Sequence, residues 1–87
     1  MIINLELYST SHCHLCDQAE SLLLKLNTAY QFEYQLIDIV DDANLYSRYQ
    51  FKIPVLKRLD TGNEICWPFD ESAIKSLLTK SKSDAFI

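Results

Sequence analysis

The stretch TSHCHLCD, residues 10–17, sets two cysteines three positions apart between two different patterns of apolar residues. Ahead of it, residues 2–8 alternate apolar and more polar side chains, which is typical of a β-strand. After it, apolar residues follow helical spacing from Leu15 onward, so we expect a helix that begins at or just after Cys13. Thr10 or Ser11 is available as the cap of that helix.

The position of Cys13 and Cys16 predicts thiol chemistry. At the start of a helix the first sulfur lies against unpaired backbone N–H groups at the positive end of the helix dipole, while the second lies nearly one turn inward. We therefore expect Cys13 to be the nucleophile and Cys16 to resolve the mixed disulfide. His12 and His14 flank Cys13 and, when protonated, favour its thiolate further.

Two other interpretations of this cysteine pair remain open, namely an inert pair and a metal site. A zinc site requires four ligands, and Cys13, His14 and Cys16 supply at most three from one short stretch. No second cysteine pair follows downstream to complete a tetrahedron. We therefore expect no bound metal.

The rest of the chain predicts a small α/β domain. Residues 32–40 have the pattern of a second strand, and Asp41 and Asp42 are expected to open a short helix. Residues 55–59 and 64–67 are expected to form a hairpin, because Gly62 between them supplies the positive φ of a tight turn.

A third helix, capped by Asp70, completes the order β-α-β-α-β-β-α. This order predicts a four-stranded mixed sheet flanked by three helices. We assign residues 1–80 to a single domain and expect the tail, residues 81–87, to fray.

Composition excludes several classes of protein. Twelve acidic and eight basic side chains give a net charge of −4 without a basic stripe, so nucleic acid is not an expected partner. No apolar run reaches the roughly eighteen residues that span a bilayer, and no basic region precedes the apolar start. Three cysteines, an odd number, fit a disulfide-stapled secreted domain badly. We expect a cytoplasmic protein that does not bind membranes.

Three motifs in order resemble the glutaredoxin-like family of short thioredoxin-fold proteins. They are TSHCHLCD at residues 10–17, IPVL at residues 53–56 and WPFD at residues 67–70. The resemblance implies a thioredoxin-like fold in which the Ile53–Pro54 bond is cis and lies beside Cys13. It also implies that Ile53, Pro54 and Val55 meet an extended thiol substrate.

The same resemblance bears on glutathione, which is an expected co-substrate, whereas no resident cofactor is expected. Glutaredoxins hold glutathione at a Gly-Gly pair followed by an acidic residue. Trp67-Pro68-Phe69 stands here in place of the glycines, and Asp70 matches the acidic position. Arg48 and Lys52 resemble the cationic positions that hold the carboxylates of glutathione.

Residues after the last strand allow more than one interpretation. Trp67 and Phe69 are expected to pack in the core, with a substrate wall as the alternative. Cys66 is expected to be a small buried apolar residue, with a secondary thiol that forms a disulfide with Cys13 or a partner as the alternative.

These observations together predict a monomeric thiol-disulfide oxidoreductase that acts on protein or low-molecular-weight disulfides. One alternative is a redox-inactive module that binds a peptide or protein near Pro54 and Trp67. A metal-binding accessory protein is the remaining alternative. A low pKa of the Cys13 thiol favours the enzyme, and an ordinary pKa favours the binding module.

Overall fold

The computed structural model describes residues 2–79, which form four strands, three α-helices and a short 3-10 helix. In chain order these are β1 (Ile3–Ser9), α1 (His14–Leu26), β2 (Phe32–Asp38), the 3-10 helix (Ile39–Asp41), α2 (Ala43–Tyr49), β3 (Val55–Arg58), β4 (Glu64–Cys66) and α3 (Glu71–Thr79). The predicted α/β class and order of elements are confirmed. The predicted frayed tail, residues 81–87, lies outside the described residues.

The sheet has the strand order β2-β1-β3-β4. β1 is parallel to β2 and antiparallel to β3, and β3 is antiparallel to β4. The register pairs Tyr8 with Val55 and Val55 with Cys66, so these three residues form one row near an end of the sheet. The segments that follow β1, precede β3 and follow β4 therefore emerge at the same end.

The two faces of the sheet bury different sets of side chains. On one face, Leu5, Leu7 and Leu56 pack against the apolar sides of α1 and α3. On the other face, Tyr8 and Val55 pack against α2 and the 3-10 helix. Leu7 and Leu56 are fully buried, and each burial of this kind stabilises the fold by about 2 kcal/mol.

Two predicted details are wrong. The cap of α1 is not Thr10 or Ser11 but Cys13, whose sulfur accepts a hydrogen bond from the Cys16 amide. β2 ends at Asp38, two residues earlier than predicted, because the Asp38 carboxylate accepts a hydrogen bond of 3.0 Å from the Val40 amide and closes a 3-10 turn.

Asp42, Asp70 and Gly62 are confirmed as predicted, whereas Asp41, predicted to open α2 together with Asp42, is the last residue of the 3-10 helix. Asp42 accepts hydrogen bonds from the amides of the first turn of α2, and Asp70 accepts one of 2.9 Å from the Ala73 amide in α3. Gly62 adopts a φ of +78° in the turn between β3 and β4. A side chain at that φ is disfavoured, which explains why glycine suits this turn.

The helices serve to cover the sheet. α1 has 13 residues, α3 has nine and α2 has seven. Within residues 2–79 no helix is both long and apolar enough to cross a membrane.

Candidate active site

Cys13 and Cys16 form a disulfide at the start of α1, with their Cα atoms 5.2 Å apart. Cys13 is half-buried, whereas Cys16 is only 5% exposed. The Cys16 backbone N–H lies 3.1 Å from the Cys13 sulfur and donates a hydrogen bond to it. The outer sulfur is thus accessible and has a backbone donor aimed at it, while the inner sulfur is shielded from solvent.

His12 and His14 are both exposed on either side of Cys13. His12 has a φ of 59°, in the left-handed region that residues with a side chain rarely adopt. That conformation turns the chain between the end of β1 and the first residue of α1. Both predicted modulating residues therefore lie next to Cys13 in sequence and are open to solvent.

Ile53 and Pro54 lead into β3 at the same end of the sheet as Cys13, and the bond between them is cis. Pro54 and Val55 are fully buried, so their side chains are not presented to a substrate. Ile53 is half-buried and its amide donates a hydrogen bond of 3.2 Å to the Tyr49 carbonyl. Within residues 2–79 the Ile53 carbonyl oxygen accepts no hydrogen bond, which leaves it available to a ligand.

A pair of stacked tyrosines lies behind this segment. The rings of Tyr8 and Tyr49 are stacked with centroids 4.7 Å apart, and they pack against Val55 in the same cluster as Ile53. The Tyr49 hydroxyl donates a 2.7 Å hydrogen bond to Glu64, which joins the end of α2 to β4. Burial, followed by these carboxylate contacts, raises the pKa of Tyr49, and the same combination with Glu6 raises the pKa of Tyr8.

The residues after β4 are largely engaged by the protein itself. The Trp67 amide donates a 3.0 Å hydrogen bond to the Pro54 carbonyl, and Pro68, which follows a second cis bond, has no amide hydrogen. Phe69 is 8% exposed and belongs to the core. The ring of half-buried Trp67 contacts the Phe69 ring edge to face, with the two ring centroids 5.1 Å apart. Asp70 is exposed and caps α3. The predicted core packing of Phe69 is confirmed, and Trp67 lies at the border of that core.

The basic residues of this region lie around the end of α2. Arg48 and Lys52 are both exposed, and the Arg48 guanidinium lies 5.9 Å from the centroid of the Tyr49 ring. Between them, Phe51 is 92% exposed in the turn that leads to Ile53. Phe51 was not identified as a site residue from the sequence. Its position after the buried residues of α2 and directly before a basic residue is the signal that could have indicated its exposure.

The prediction that Cys66 is buried is wrong. Cys66 is exposed and carries a free thiol. It ends β4, an edge strand of three residues, so no further strand of residues 2–79 covers it. Because Cys66 is paired with Val55, its thiol lies near the same end of the sheet as the other two cysteines.

No metal centre accompanies these cysteines in residues 2–79, where no group of three or more His, Cys, Asp or Glu side chains is placed to hold an ion.

The sheet order and the cysteine pair at the start of α1 define the class of thioredoxin-like proteins. Within that class, the chain belongs to the family described as the glutaredoxin-like domain (DUF836), whose model matches residues 4–79. The comparison with curated proteins finds no match.

Solved structures of similar proteins agree with this assignment. Protein Ne2328 from Nitrosomonas europaea is 28% identical with a TM-score of 0.81, and the match covers 91% of this chain and 94% of that one. The crystal structure of protein XcR50 from X. campestris is 40% identical with a TM-score of 0.69, and the match covers 83% and 91% of the two chains. A solution structure of XcR50 gives 38% identity and the same TM-score, with 83% and 87% of the chains covered.

Proposed function

We propose that this chain is a dithiol oxidoreductase that reduces disulfides and mixed disulfides through Cys13 and Cys16. The observation that carries the proposal is the hydrogen bond from the Cys16 amide to the Cys13 sulfur at the start of α1. In the disulfide the Cys16 amide donates to a neutral sulfur. In the dithiol form it donates to the Cys13 thiolate, and a hydrogen bond to an ionised acceptor is roughly twice as strong as one to a neutral acceptor. The nucleophilic form of Cys13 is the form stabilised most.

The difference in exposure between the two cysteines supports the roles that we propose for them. Cys13 is accessible enough to attack a substrate disulfide, and its thiolate forms a mixed disulfide with one substrate sulfur while the other sulfur leaves as a thiolate. Cys16, which is 5% exposed, then attacks Cys13 and releases the second substrate thiol. One substrate disulfide is consumed and the Cys13–Cys16 disulfide is formed, so two electrons pass to the substrate.

The oxidised protein needs a thiol to return it to the dithiol form. Glutathione is the co-substrate we propose for this step, since two glutathione molecules reduce one disulfide and leave as glutathione disulfide. A cytoplasmic location accords with that role, because the glutathione pool there is reducing. We further propose that the protein acts as a monomer, without metal or resident cofactor, on protein or low-molecular-weight disulfides.

Equilibration with glutathione redox buffers tests the proposal. Cys66 is exposed and free, so the parent protein for this experiment is the Cys66→Ser variant. In this variant only Cys13 and Cys16 can be oxidised or alkylated. Alkylation followed by mass measurement should show a reversible two-electron transition that gives the reduction potential. Cys13→Ser should abolish reaction with disulfides, whereas Cys16→Ser should accumulate a stable mixed disulfide on Cys13.

If the pair stays unreactive, or if Cys13 reacts with a disulfide no faster than the exposed Cys66 of the natural chain, the oxidoreductase proposal is wrong. A module that binds peptides or proteins without redox turnover is then the better account of the fold.

A further inference from the structure

On the β4 side of the candidate active site, Trp67 and Pro68 offer no free backbone donor to a small ligand. The Trp67 amide is bonded to the Pro54 carbonyl, and Pro68 has no amide hydrogen. One carboxylate oxygen of Asp70 is bonded to the Ala73 amide. A ligand whose carboxylates need backbone donors finds none at Trp67 and Pro68.

The surface on the α2 side has a different character. Phe51 is 92% exposed, the largest exposed fraction among the bulky apolar side chains of residues 2–79. Two peptide units separate Phe51 from Ile53, so their Cα atoms lie within about 7.6 Å of each other. A polypeptide whose reactive cysteine bonds to the Ile53 carbonyl through its backbone therefore reaches Phe51 with a side chain two or three residues away.

The charged residues next to Phe51 in the sequence are basic, in a chain whose net charge is −4. Arg48 and Lys52 are exposed on either side of it, and the stacking of Arg48 on the Tyr49 ring favours a position close to the protein surface. We name Arg48, Phe51 and Lys52 the Phe51 surface. A partner that carries carboxylates next to an apolar side chain complements this surface in both respects.

We infer that the Phe51 surface selects protein disulfides, and specifically an extended segment that carries an apolar residue and an acidic residue two or three positions from its reactive cysteine. The inference rests on the proposed oxidoreductase function and names its substrate class. The apolar side chain covers the Phe51 ring, the acidic side chain meets Arg48 or Lys52, and the segment's backbone donates to the Ile53 carbonyl. The chemical step is unchanged, with Cys13 attacking the segment's cysteine sulfur and the other substrate thiol leaving.

Three disulfide probes test the inference with the full chain in its dithiol form. The first is a synthetic peptide whose single cysteine is disulfide-bonded to 2-mercaptoethanol and is followed two and three positions later by leucine and aspartate. The second has serine and lysine in those places, and the third is glutathione disulfide. The initial rate of reduction gives kcat/KM for each, with dithiothreitol as the terminal reductant and its direct reaction subtracted.

We expect the leucine-aspartate peptide to have a kcat/KM at least about tenfold higher than the serine-lysine peptide, a difference typical of one buried aromatic anchor with its charge pair. Phe51→Ser should reduce that ratio to near unity. Lys52→Glu should lower the rate for the aspartate peptide and raise it for the lysine peptide. Leu24→Ser is the matched control, since Leu24 is an exposed apolar residue on α1, 59% exposed, outside the Phe51 surface, and its ratio should equal that of the natural chain.

The outcomes separate the inference from the proposal beneath it. If no probe is reduced through Cys13, both are overturned. If all three probes are reduced with similar kcat/KM, or if Phe51→Ser and Leu24→Ser give the same ratio, the oxidoreductase proposal stands and the inferred substrate class is wrong. A clear preference for glutathione disulfide over both peptides overturns the inference in the same way.

Discussion

The sulfur of Cys13 accepts a hydrogen bond of 3.1 Å from the backbone amide of Cys16, the residue with which it forms a disulfide. The proposed nucleophile is therefore also the cap of the helix that carries its partner. Capping ties the stability of the first turn of α1 to the charge of Cys13, because a thiolate is a better acceptor than a thiol.

A pair of variants isolates this amide. Cys16→Ser keeps the backbone N–H and Cys16→Pro removes it, while both lack the second sulfur. Proline is tolerated in the first turn of a helix, where amides have no intrahelical partner. We expect the Cys13 thiol to ionise about one pH unit lower in Cys16→Ser than in Cys16→Pro, measured by ultraviolet absorbance of the thiolate. Equal ionisation in the two variants contradicts a role for this hydrogen bond.

The left-handed conformation of His12 makes a second prediction, on stability. A β-branched residue at a φ of 59° is strained, so His12→Val should lower the free energy of unfolding by about 1–2 kcal/mol. His12→Gly should stay within about 0.5 kcal/mol of the natural chain, because relief in the folded state is offset by greater freedom in the unfolded state. Urea denaturation measures both.

The control for His12 is the other flanking histidine. His14 is the first residue of α1, and His14→Val should cost no more than about 0.5 kcal/mol. If His12→Val and His14→Val are equally mild, the turn before Cys13 does not require its positive φ.

Arg58 supports a third prediction, because its buried guanidinium closes the end of α3. Its Nη1 atom donates hydrogen bonds of 2.9 and 2.8 Å to the Leu77 and Leu78 carbonyls. The guanidinium also pairs with exposed Asp60, and its hydrogen bonds lower the pKa of that carboxyl. Arg58→Ala should lower the free energy of unfolding by about 3 kcal/mol, mainly because the two carbonyls lose their donor.

The control here is Lys75→Ala, which removes an exposed cation from α3 itself. Its effect on urea denaturation should stay within about 0.5 kcal/mol. A similar loss in the two variants would show that Arg58 contributes no more than a surface charge.

Alkaline pH should weaken the fold. Burial, followed by a hydrogen bond to Glu20, raises the pKa of Tyr34 from 10.0 to about 12, and Tyr8 and Tyr49 are shifted in the same direction. A raised folded-state pKa contributes stability that is present below the unfolded pKa and is lost as the pH rises toward the folded one. The free energy of unfolding should therefore fall between about pH 10 and about pH 12.

Tyr34→Phe tests this prediction for one residue. The variant should show a shallower fall in the free energy of unfolding across that pH range than the natural chain. Tyr46→Phe, which alters an exposed ring on α2, serves as the control and should keep the slope of the natural chain. A slope that does not respond to Tyr34→Phe would place the ionising groups elsewhere.

Local sequence patterns predicted most elements because the decisive interactions are local. Asp42 and Asp70 cap the helices that directly follow them, and Gly62 meets the φ that its turn requires. The cap of α1 was missed because Thr10 and Ser11 are better caps by residue type than cysteine. The left-handed turn at His12 begins the helix later and gives that position to Cys13.

The environment of the site was less predictable, since it depends on neighbours far along the chain. Cysteine is a residue type that is usually buried, yet Cys66 ends an edge strand and is exposed. Phenylalanine is a residue type that usually lies in the core, yet Phe51 lies in the turn after α2 and is exposed to solvent. The bond from Trp67 to Pro54 joins residues that no sequence pattern connects.

The sequence by itself determined the order of strands and helices, the cysteine pair at the start of α1 and the family of the chain, because caps, periodicities and motifs depend on neighbours a few residues apart. Only the tertiary structure decided which groups around the pair stay available. Pairing across the sheet brings Tyr8, Val55 and Cys66 into one row. Within residues 2–79 the Trp67 amide is bonded to Pro54, whereas the Ile53 carbonyl accepts no hydrogen bond and the Phe51 ring is exposed. Burial and hydrogen bonding between distant residues are properties of the packed sheet, and a linear pattern does not contain them.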